Sequence, residues 1–202
     1  MKKIAIVGFK GKMGALIYKA LEKKYDIIGI DKENDLKDYK NIDLVIDFSN
    51  GSNSVVSAEY CLEYKIPIII GATGHTIEEN NKIDIISKQI TVIKKSNFSV
   101  GFELLKKFVD LVIQLKPNYF EIIEKHHLHK KDKPSGTALS LKDYITEIFR
   151  GQVLITSIRE GTEMGEHKIV AHIKDETISI QHNVISREAF VCGVVKDVEK
   201  LI

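Results

Sequence analysis

The chain has 202 residues, 44% hydrophobic and 29% charged, a length and balance that suit a soluble globular protein of one large domain or two small ones. A formal net charge of +2 excludes the global basic field that nucleic-acid binding usually needs. The two cysteines, Cys61 and Cys192, lie far apart among apolar neighbours and read as two buried, reduced thiols, not as a disulfide framework.

The opening run Ile4-Ala5-Ile6-Val7 is too short for a signal peptide or a membrane span, so the expected location is the cytoplasm. The run reads as a buried strand ended by Gly8. A helix is predicted over residues 13–24, with Met13, Leu16, Ile17, Ala20 and Leu21 on one face. Further strands are predicted at 27–30, 44–48, 67–70 and 91–93, and further helices at 54–64 and 77–87. Apolar strands alternating with helices at this spacing predict a parallel sheet covered on both faces.

The pattern changes near Asn97. A long amphipathic helix at 103–115 precedes a strand at 119–124, a histidine-rich loop at 126–133 and a helix at 135–149. Three strand-like runs follow, at 153–158, 167–173 and 177–181, with turns near Gly161, Gly165 and Asp175-Glu176. Strands joined by short turns predict an antiparallel or mixed sheet. A helix over 186–201 closes the chain.

Between the first strand and the first helix stands Gly8-Phe9-Lys10-Gly11-Lys12-Met13-Gly14. Glycines permit a tight turn and close approach of a pyrophosphate, and the helix start offers unpaired N–H groups and a positive dipole end. Asp31, ending the second strand, suits ribose hydroxyls and would repel a 2′-phosphate, which favours NADH. Lys10, Lys12 and Lys32 offer compensating charge for NADPH, so use of both cofactors is expected, with NADH at least accepted. Gly71-Ala72-Thr73-Gly74 and Ser96-Asn97-Phe98-Ser99 end the fourth and fifth strands. They occupy the edge where open parallel sheets bind ligands.

The stretch Glu124-Lys125-His126-His127-Leu128-His129-Lys130-Lys131-Asp132-Lys133-Pro134-Ser135-Gly136-Thr137-Ala138 carries most of the chemistry. Histidine holds or releases a proton near neutral pH, and Lys130 offers a cation or a proton. Pro134-Ser135-Gly136-Thr137 reads as a helix start whose N–H groups and hydroxyls suit a carboxylate. A small dianion with a reducible C=N or C=C bond would find recognition and a proton supply here. Metal binding and a plain solvated charge run are the alternatives. No cysteine is near, and adjacent histidines at a strand end point opposite ways, so no metal is expected.

Taken together, Gly8-x-x-Gly11-x-Met13-Gly14, Gly71-Ala72-Thr73-Gly74, Asn97-Phe98-Ser99-x-Gly101, the Glu124 to Ala138 stretch, Gly165-Glu166-His167 and Ser186-Arg187-x-x-Phe190 follow the order of one family. Over nearly its whole length the chain resembles the 4-hydroxy-tetrahydrodipicolinate (formerly dihydrodipicolinate) reductases of diaminopimelate and lysine synthesis. The resemblance implies an α/β fold with a Rossmann dinucleotide-binding domain at 1–97 plus 184–202. It also implies an inserted α+β substrate and oligomerisation domain at 98–183, and a homotetramer built through the inserted sheets. It implies reduction by NADH or NADPH with loss of water. His126 would donate or accept the proton, and Lys130 would donate a proton and hold a substrate carboxylate. His127, Ser135, Gly136 and Thr137 would bind substrate. Gly8, Phe9, Lys10, Gly11, Lys12, Met13, Asp31, Gly71, Ala72, Thr73, Lys95, Ser96, Asn97 and Phe98 would contact the cofactor.

The chain departs from the family in Leu128, where arginine is frequent, in a short stretch at 150–159, and in Phe9 and Lys10, where small residues are frequent. Two other readings are another Rossmann reductase of a small carboxylated imine or aldehyde, and a non-catalytic NAD(H)-binding redox sensor. Proton-transfer residue types in the second half argue against the sensor.

Overall fold

The apolar runs of the first half become parallel strands because helices cross back over the sheet after the first, third and fourth of them, and an irregular connection with a short 3-10 turn at Leu36–Asp38 does so after the second. In the computed structural model, which describes residues 1–162 and 164–202, β1 (Lys3–Val7), β2 (Asp26–Ile30), β3 (Leu44–Asp47), β4 (Ile68–Ile70) and β5 (Val92–Lys94) form one sheet in the order β2-β1-β3-β4-β5. All of its pairings are parallel. The crossover helices are α1 (Lys12–Leu21), α2 (Gly51–Tyr64) and α3 (Ile77–Ser87). Ile4, Ile6, Leu44 and Ile46 pack with Ile17 and Leu21 of α1, whereas Ala5, Val45, Ile68 and Ile70 pack with Val55 and Ala58 of α2 and Ile83 of α3. Both faces are therefore buried, as unbroken hydrophobic runs require. α1 stops three residues short of its predicted end because its apolar stripe ends at Leu21, where the N–H groups of Lys24 and Tyr25 turn back to the Leu21 carbonyl.

The chain separates into two units, Met1–Phe98 with Phe190–Ile202, and Ser99–Ala189. In the first unit, Val191, Val194 and Val198 of the last helix, α6 (Glu188–Leu201), join Phe98 and the β1 and β3 isoleucines in one core. Gly193 is needed there, because a Cβ would collide with the Phe98 carbonyl oxygen. Cys61 is buried as expected, but Cys192 is exposed: burial of Val191 and Val194 turns it outward.

The second unit contains α4 (Val100–Val112), β6 (Tyr119–His126), α5 (Gly136–Ile148), β7 (Gln152–Arg159), β8 (Gly165–Ile173) and β9 (Glu176–Val184). Its sheet runs β7-β6-β8-β9 and is mixed. β6 and β7 are parallel because α5 carries the chain across between them, while β8 and β9 form an antiparallel hairpin. α4 and α5 bury Phe102, Leu105, Val109, Leu141 and Ile145 against Phe120, Ile122, Val153, Ile169 and Ala171. β6 alternates strictly, and its inward positions are Phe120, Ile122, Glu124 and His126. The last two are polar groups at apolar positions. Among the described residues no helix is long and apolar enough to cross a membrane.

Candidate functional site

The first unit builds a dinucleotide cradle. Gly8 has φ +79° and donates its N–H to the Ile30 carbonyl at 3.0 Å, which turns the chain sharply off β1. A Cβ at Gly14 would strike the Gly8 carbonyl oxygen, so the first turn of α1 closes tightly on the loop. The α1 N-cap, Gly11, makes no side-chain cap bond, and no acidic residue stands in the first turn. That leaves the helix start free to receive an anion. Asp31 ties the loop to β2, accepting from the Lys10 N–H at 2.8 Å and the Lys32 N–H at 3.0 Å, and these bonds hold its carboxyl below the usual range. Lys10 in turn pairs with Glu33 at 2.6 Å.

A cavity of about 600 Å³ opens beyond the carboxyl ends of β1, β2 and β3. Gly8, Lys10, Gly11 and Asp31 of the predicted cofactor set line it, with Phe48, Ser49 and Asn50 from the loop after β3 and Asn53 from the first turn of α2. Sequence reasoning assigned no role to those last four, although that loop shares the ligand-binding edge of the sheet. The backbone turn, the uncapped helix and the carboxylate at the end of β2 fit an adenine dinucleotide. Other predicted residues have structural roles. The Phe9 ring fills the space over Gly29 and packs edge-on against Tyr18 at 5.2 Å between centroids. Met13 packs against the core, while Lys12 is exposed and outside the cavity lining. Gly71 lies under the Phe48 ring and Ala72 is buried, whereas Thr73 is exposed. Lys95 pairs with the buried Asp197 of α6 at 2.6 Å. Ser96 is half-buried, and Asn97 and Phe98 are buried.

The second unit builds a charged, buried cluster. Glu124 is 0% exposed. Its carboxylate accepts from Arg159 Nη1 at 2.9 Å and from the Ser135 N–H at 3.3 Å, lies 2.8 Å from Arg159 Nη2 as an ion pair, and contacts His126 Nδ1. Burial pushes the Glu124 carboxyl up, but hydrogen bonds from Arg159 and Ser157 and the neighbouring His126 outweigh it, and the group lies below its ordinary range. Burial lowers His126, against the pull of Glu124 and with help from Lys130 and Arg159. His167 lies edge-on to His126 at 5.1 Å, and its Nε2 meets the Ser135 hydroxyl at 3.2 Å. Burial and the neighbouring His126 push its pKa down to about 3.

Ser135 is the α5 N-cap, and its hydroxyl accepts from the Ala138 N–H at 3.2 Å. With both sides of that hydroxyl engaged, it is positioned to hold the helix, not a ligand. The Gly136 N–H and Lys130 Nζ both face Asp132, at 3.4 Å and 2.8 Å. His127 is half-buried, 6.3 Å from the His129 ring, and Thr137 is half-buried in the first turn of α5. Ligand atoms of Glu124, His126 and His167 come within 4.8 Å of one another, as in a metal cage. The guanidinium of Arg159 already spans both Glu124 oxygens, however, and a cation beside it would be repelled. Glu124, Arg159 and His167 had no role in the sequence reading. The signal for Glu124 was a charge at an inward position of an alternating strand.

A parallel sheet with a glycine turn at its switch point, in a chain whose second unit carries a buried acid–histidine–arginine cluster, defines a Rossmann-type oxidoreductase. Solved structures share this fold. One is described as dipicolinate-bound dihydrodipicolinate reductase from Paenisporosarcina sp. TG-14; it has a TM-score of 0.75 and 22% identity and covers 100% of this chain and 94% of that one. Another is a gentamicin A biosynthesis protein in complex with NAD, with a TM-score of 0.69 and 8% identity over 99% of this chain and 85% of that one. The family descriptions "Dihydrodipicolinate reductase, N-terminus" and "Dihydrodipicolinate reductase, C-terminus" match residues 26–98 and 100–202. A 4-hydroxy-tetrahydrodipicolinate reductase of Clostridium tetani is 34% identical over 97% of this chain and 90% of its own length. The chain belongs to the dihydrodipicolinate reductase family. The alignment with the Clostridium protein runs over 229 positions, more than the 202 residues of this chain, so the chain lacks segments that its relative carries.

Proposed function

We propose that the chain reduces 4-hydroxy-tetrahydrodipicolinate to tetrahydrodipicolinate with loss of water, at the expense of NADH or NADPH, in the synthesis of diaminopimelate and lysine. The observation that carries this reading is the buried Glu124–His126–Arg159 network beside Lys130 and the Ser135-capped start of α5, within the stretch that matches the family's C-terminal half. The first unit serves as the cofactor domain, expected at 1–97 with 184–202 and compact over Met1–Phe98 with Phe190–Ile202, and the second, Ser99–Ala189, as the substrate and assembly domain.

The bound cofactor supplies the hydride. The chain supplies position, charge and a proton. Gly8, Lys10 and Gly11 hold the pyrophosphate at the start of α1, and Asp31 takes the ribose hydroxyls, with Phe9, Lys12 and Met13 keeping the loop and helix in shape. Gly71, Ala72 and Thr73, and Lys95 to Phe98, form the remaining wall. Lys130 and His127 hold a substrate carboxylate, helped by the N–H of Gly136 and the hydroxyl of Thr137 at the dipole end of α5. Ser135 acts through the helix and His167. His126 gives or takes the proton that accompanies the hydride, and Lys130 is the second donor.

NADH is accepted because Lys10, the nearest candidate for a 2′-phosphate, is paired with Glu33. NADPH is used with Lys32, which lines the cavity, as the partner of its 2′-phosphate. The protein is cytoplasmic and assembles as a homotetramer through the sheet face opposite α4 and α5, which carries Ile123, Leu154 and Val170.

The test is oxidation of NADH and of NADPH, followed at 340 nm, when aspartate semialdehyde, pyruvate and the preceding synthase generate the substrate. Dependence on all three supports the reading, and no oxidation of either cofactor refutes it. His126→Gln is expected to lower turnover about 10²- to 10⁴-fold, the usual worth of a general acid–base, with cofactor affinity unchanged.

A further inference from the structure

We propose that Glu124, clamped by Arg159, is a positioning residue that fixes His126 in the tautomer with its proton on Nδ1, leaving Nε2 as the atom that exchanges a proton with substrate. The inference rests on the reductase reading only for the identity of the molecule that meets Nε2.

Glu124 and His126 are two residues apart on β6 and therefore share its inward face. Their contact joins a carboxylate oxygen to Nδ1. An ionised carboxylate can only accept, so a hydrogen bond there requires the proton on Nδ1. A neutral imidazole carries one N–H, and Nε2 is then left with its lone pair. After taking up a proton, Nε2 is the nitrogen free to deliver it.

Glu124 must stay ionised to act in this way, although it is 0% exposed. An unpaired buried carboxylate would take up a proton instead. Arg159 prevents this with one nitrogen on each oxygen, at 2.9 Å and 2.8 Å, a bidentate geometry that a lysine could not reproduce. Arg159 is itself held by the Ile158 carbonyl at 2.8 Å and the Asp132 carbonyl at 2.5 Å. The clamp is thus anchored both on β7 and in the loop that carries Lys130.

The groups facing His126 from the other elements leave Nε2 available. His167 on β8 has its own Nε2 committed to the Ser135 hydroxyl, so it does not compete. Gly165, the first residue of β8, has no Cβ, and one placed there would lie 3.0 Å from His126 Nε2. Lys130 adds positive charge on the loop side, which favours release of the proton once it is bound.

Nitrogen-15 NMR of the histidine side chains in the full-length protein, without cofactor or substrate, tests the assignment. The neutral form of His126 is expected to carry its proton on Nδ1 in the wild type. In Glu124→Gln it should shift toward the Nε2–H tautomer, with turnover reduced about 10²- to 10⁴-fold, the scale seen when a buried carboxylate that orients a catalytic histidine is replaced by its amide. Cofactor affinity should not change. Arg159→Lys should retain more turnover than Arg159→Met. Wild-type His126 protonated at Nε2, or a tautomer unmoved in Glu124→Gln, overturns the proposal. If Glu124→Gln does not fold, the wild-type spectrum alone decides. Turnover of His126→Gln, measured beside it, reports separately on whether this histidine serves the reductase reaction.

Discussion

Asp132 accepts a hydrogen bond from the Lys130 ammonium at 2.8 Å, and its other oxygen reaches the Gly136 N–H at 3.4 Å. These are two of the donors assigned to a substrate carboxylate. The protein's own carboxylate therefore sits where the incoming one is proposed to bind, and the two anions compete. Asp132 is about half exposed, so water screens the pair and displacement is inexpensive. Asp132→Asn is expected to tighten binding of a pyridine dicarboxylate such as dipicolinate several-fold, as measured by calorimetry. Weaker binding would mean that Asp132 orients Lys130 and does not compete for it.

The cluster should make stability sensitive to mild acid. His167 is pushed from its ordinary 6.5 down to about 3 by burial and by His126, so the folded state holds it neutral. Between these values the unfolded chain binds more protons than the folded one, and stability is lost as the pH falls through that window. A single such proton sets a slope of at most about 1.4 kcal/mol per pH unit. His126, also lowered, acts in the same direction, whereas Glu124 loses its contribution only below the ordinary carboxylate range. Urea midpoints at pH 7 and pH 5 should therefore differ clearly in the wild type and less in His167→Gln. Equal differences in the two proteins would exclude His167 as the source.

Much of this was legible in the sequence, and the reasons are local. Buried strands β1, β3 and β4 show as apolar runs, and Gly8 and Ser135 mark a turn and a helix cap through residue chemistry alone. The partners of Glu124 were not legible. Arg159 stands 35 residues away and meets it only because β7 pairs in parallel with β6 in one register, which sets His126 opposite Arg159. Side-chain competition was likewise hidden: Phe9 and Lys95 read as ligand contacts, yet a void over Gly29 and the buried Asp197 claim them first.

The glycine cradle gives a sharper test of the cofactor site than any charge. Gly14→Ala forces a Cβ against the Gly8 carbonyl oxygen and the Phe9 backbone, neither of which can swing aside as a side chain could. Overpacking of this kind costs about 1–3 kcal/mol. It should appear as an increase in the NADH dissociation constant of about tenfold or more in a fluorescence titration. Gly29→Ala meets the Phe9 side chain first, away from the helix start, and should change NADH affinity much less. Equal effects at the two positions would refute the cradle.

Asp31 bears on cofactor choice in a way that both reduced dinucleotides can report. Its oxygens hold the Lys10 and Lys32 N–H groups, so the carboxylate keeps its charge at the end of β2, beside the cavity. Asp31→Ala removes an acceptor for ribose hydroxyls and a repulsion toward a 2′-phosphate. The ratio of kcat/KM for NADH to that for NADPH should fall about tenfold, mainly through a higher KM for NADH. An unchanged ratio would mean that the carboxylate serves the loop alone.

Gly165 allows stability and chemistry to be separated at one position. It opens β8 opposite Val184 of β9, and a glycine in a strand costs about 0.5–1 kcal/mol relative to alanine. On backbone grounds Gly165→Ala should therefore leave the protein as stable as the wild type or slightly more so. The new methyl carbon, however, would lie 3.0 Å from His126 Nε2, closer than a carbon and an imidazole nitrogen normally approach. His126 cannot retreat, because Glu124 holds its other nitrogen. The urea midpoint then reports the net of the backbone gain and of this close contact, whereas turnover should fall at least about tenfold, on the scale of a displaced general acid–base, with the NADH dissociation constant unchanged. Full turnover in Gly165→Ala would mean that the proton passes by some route other than Nε2.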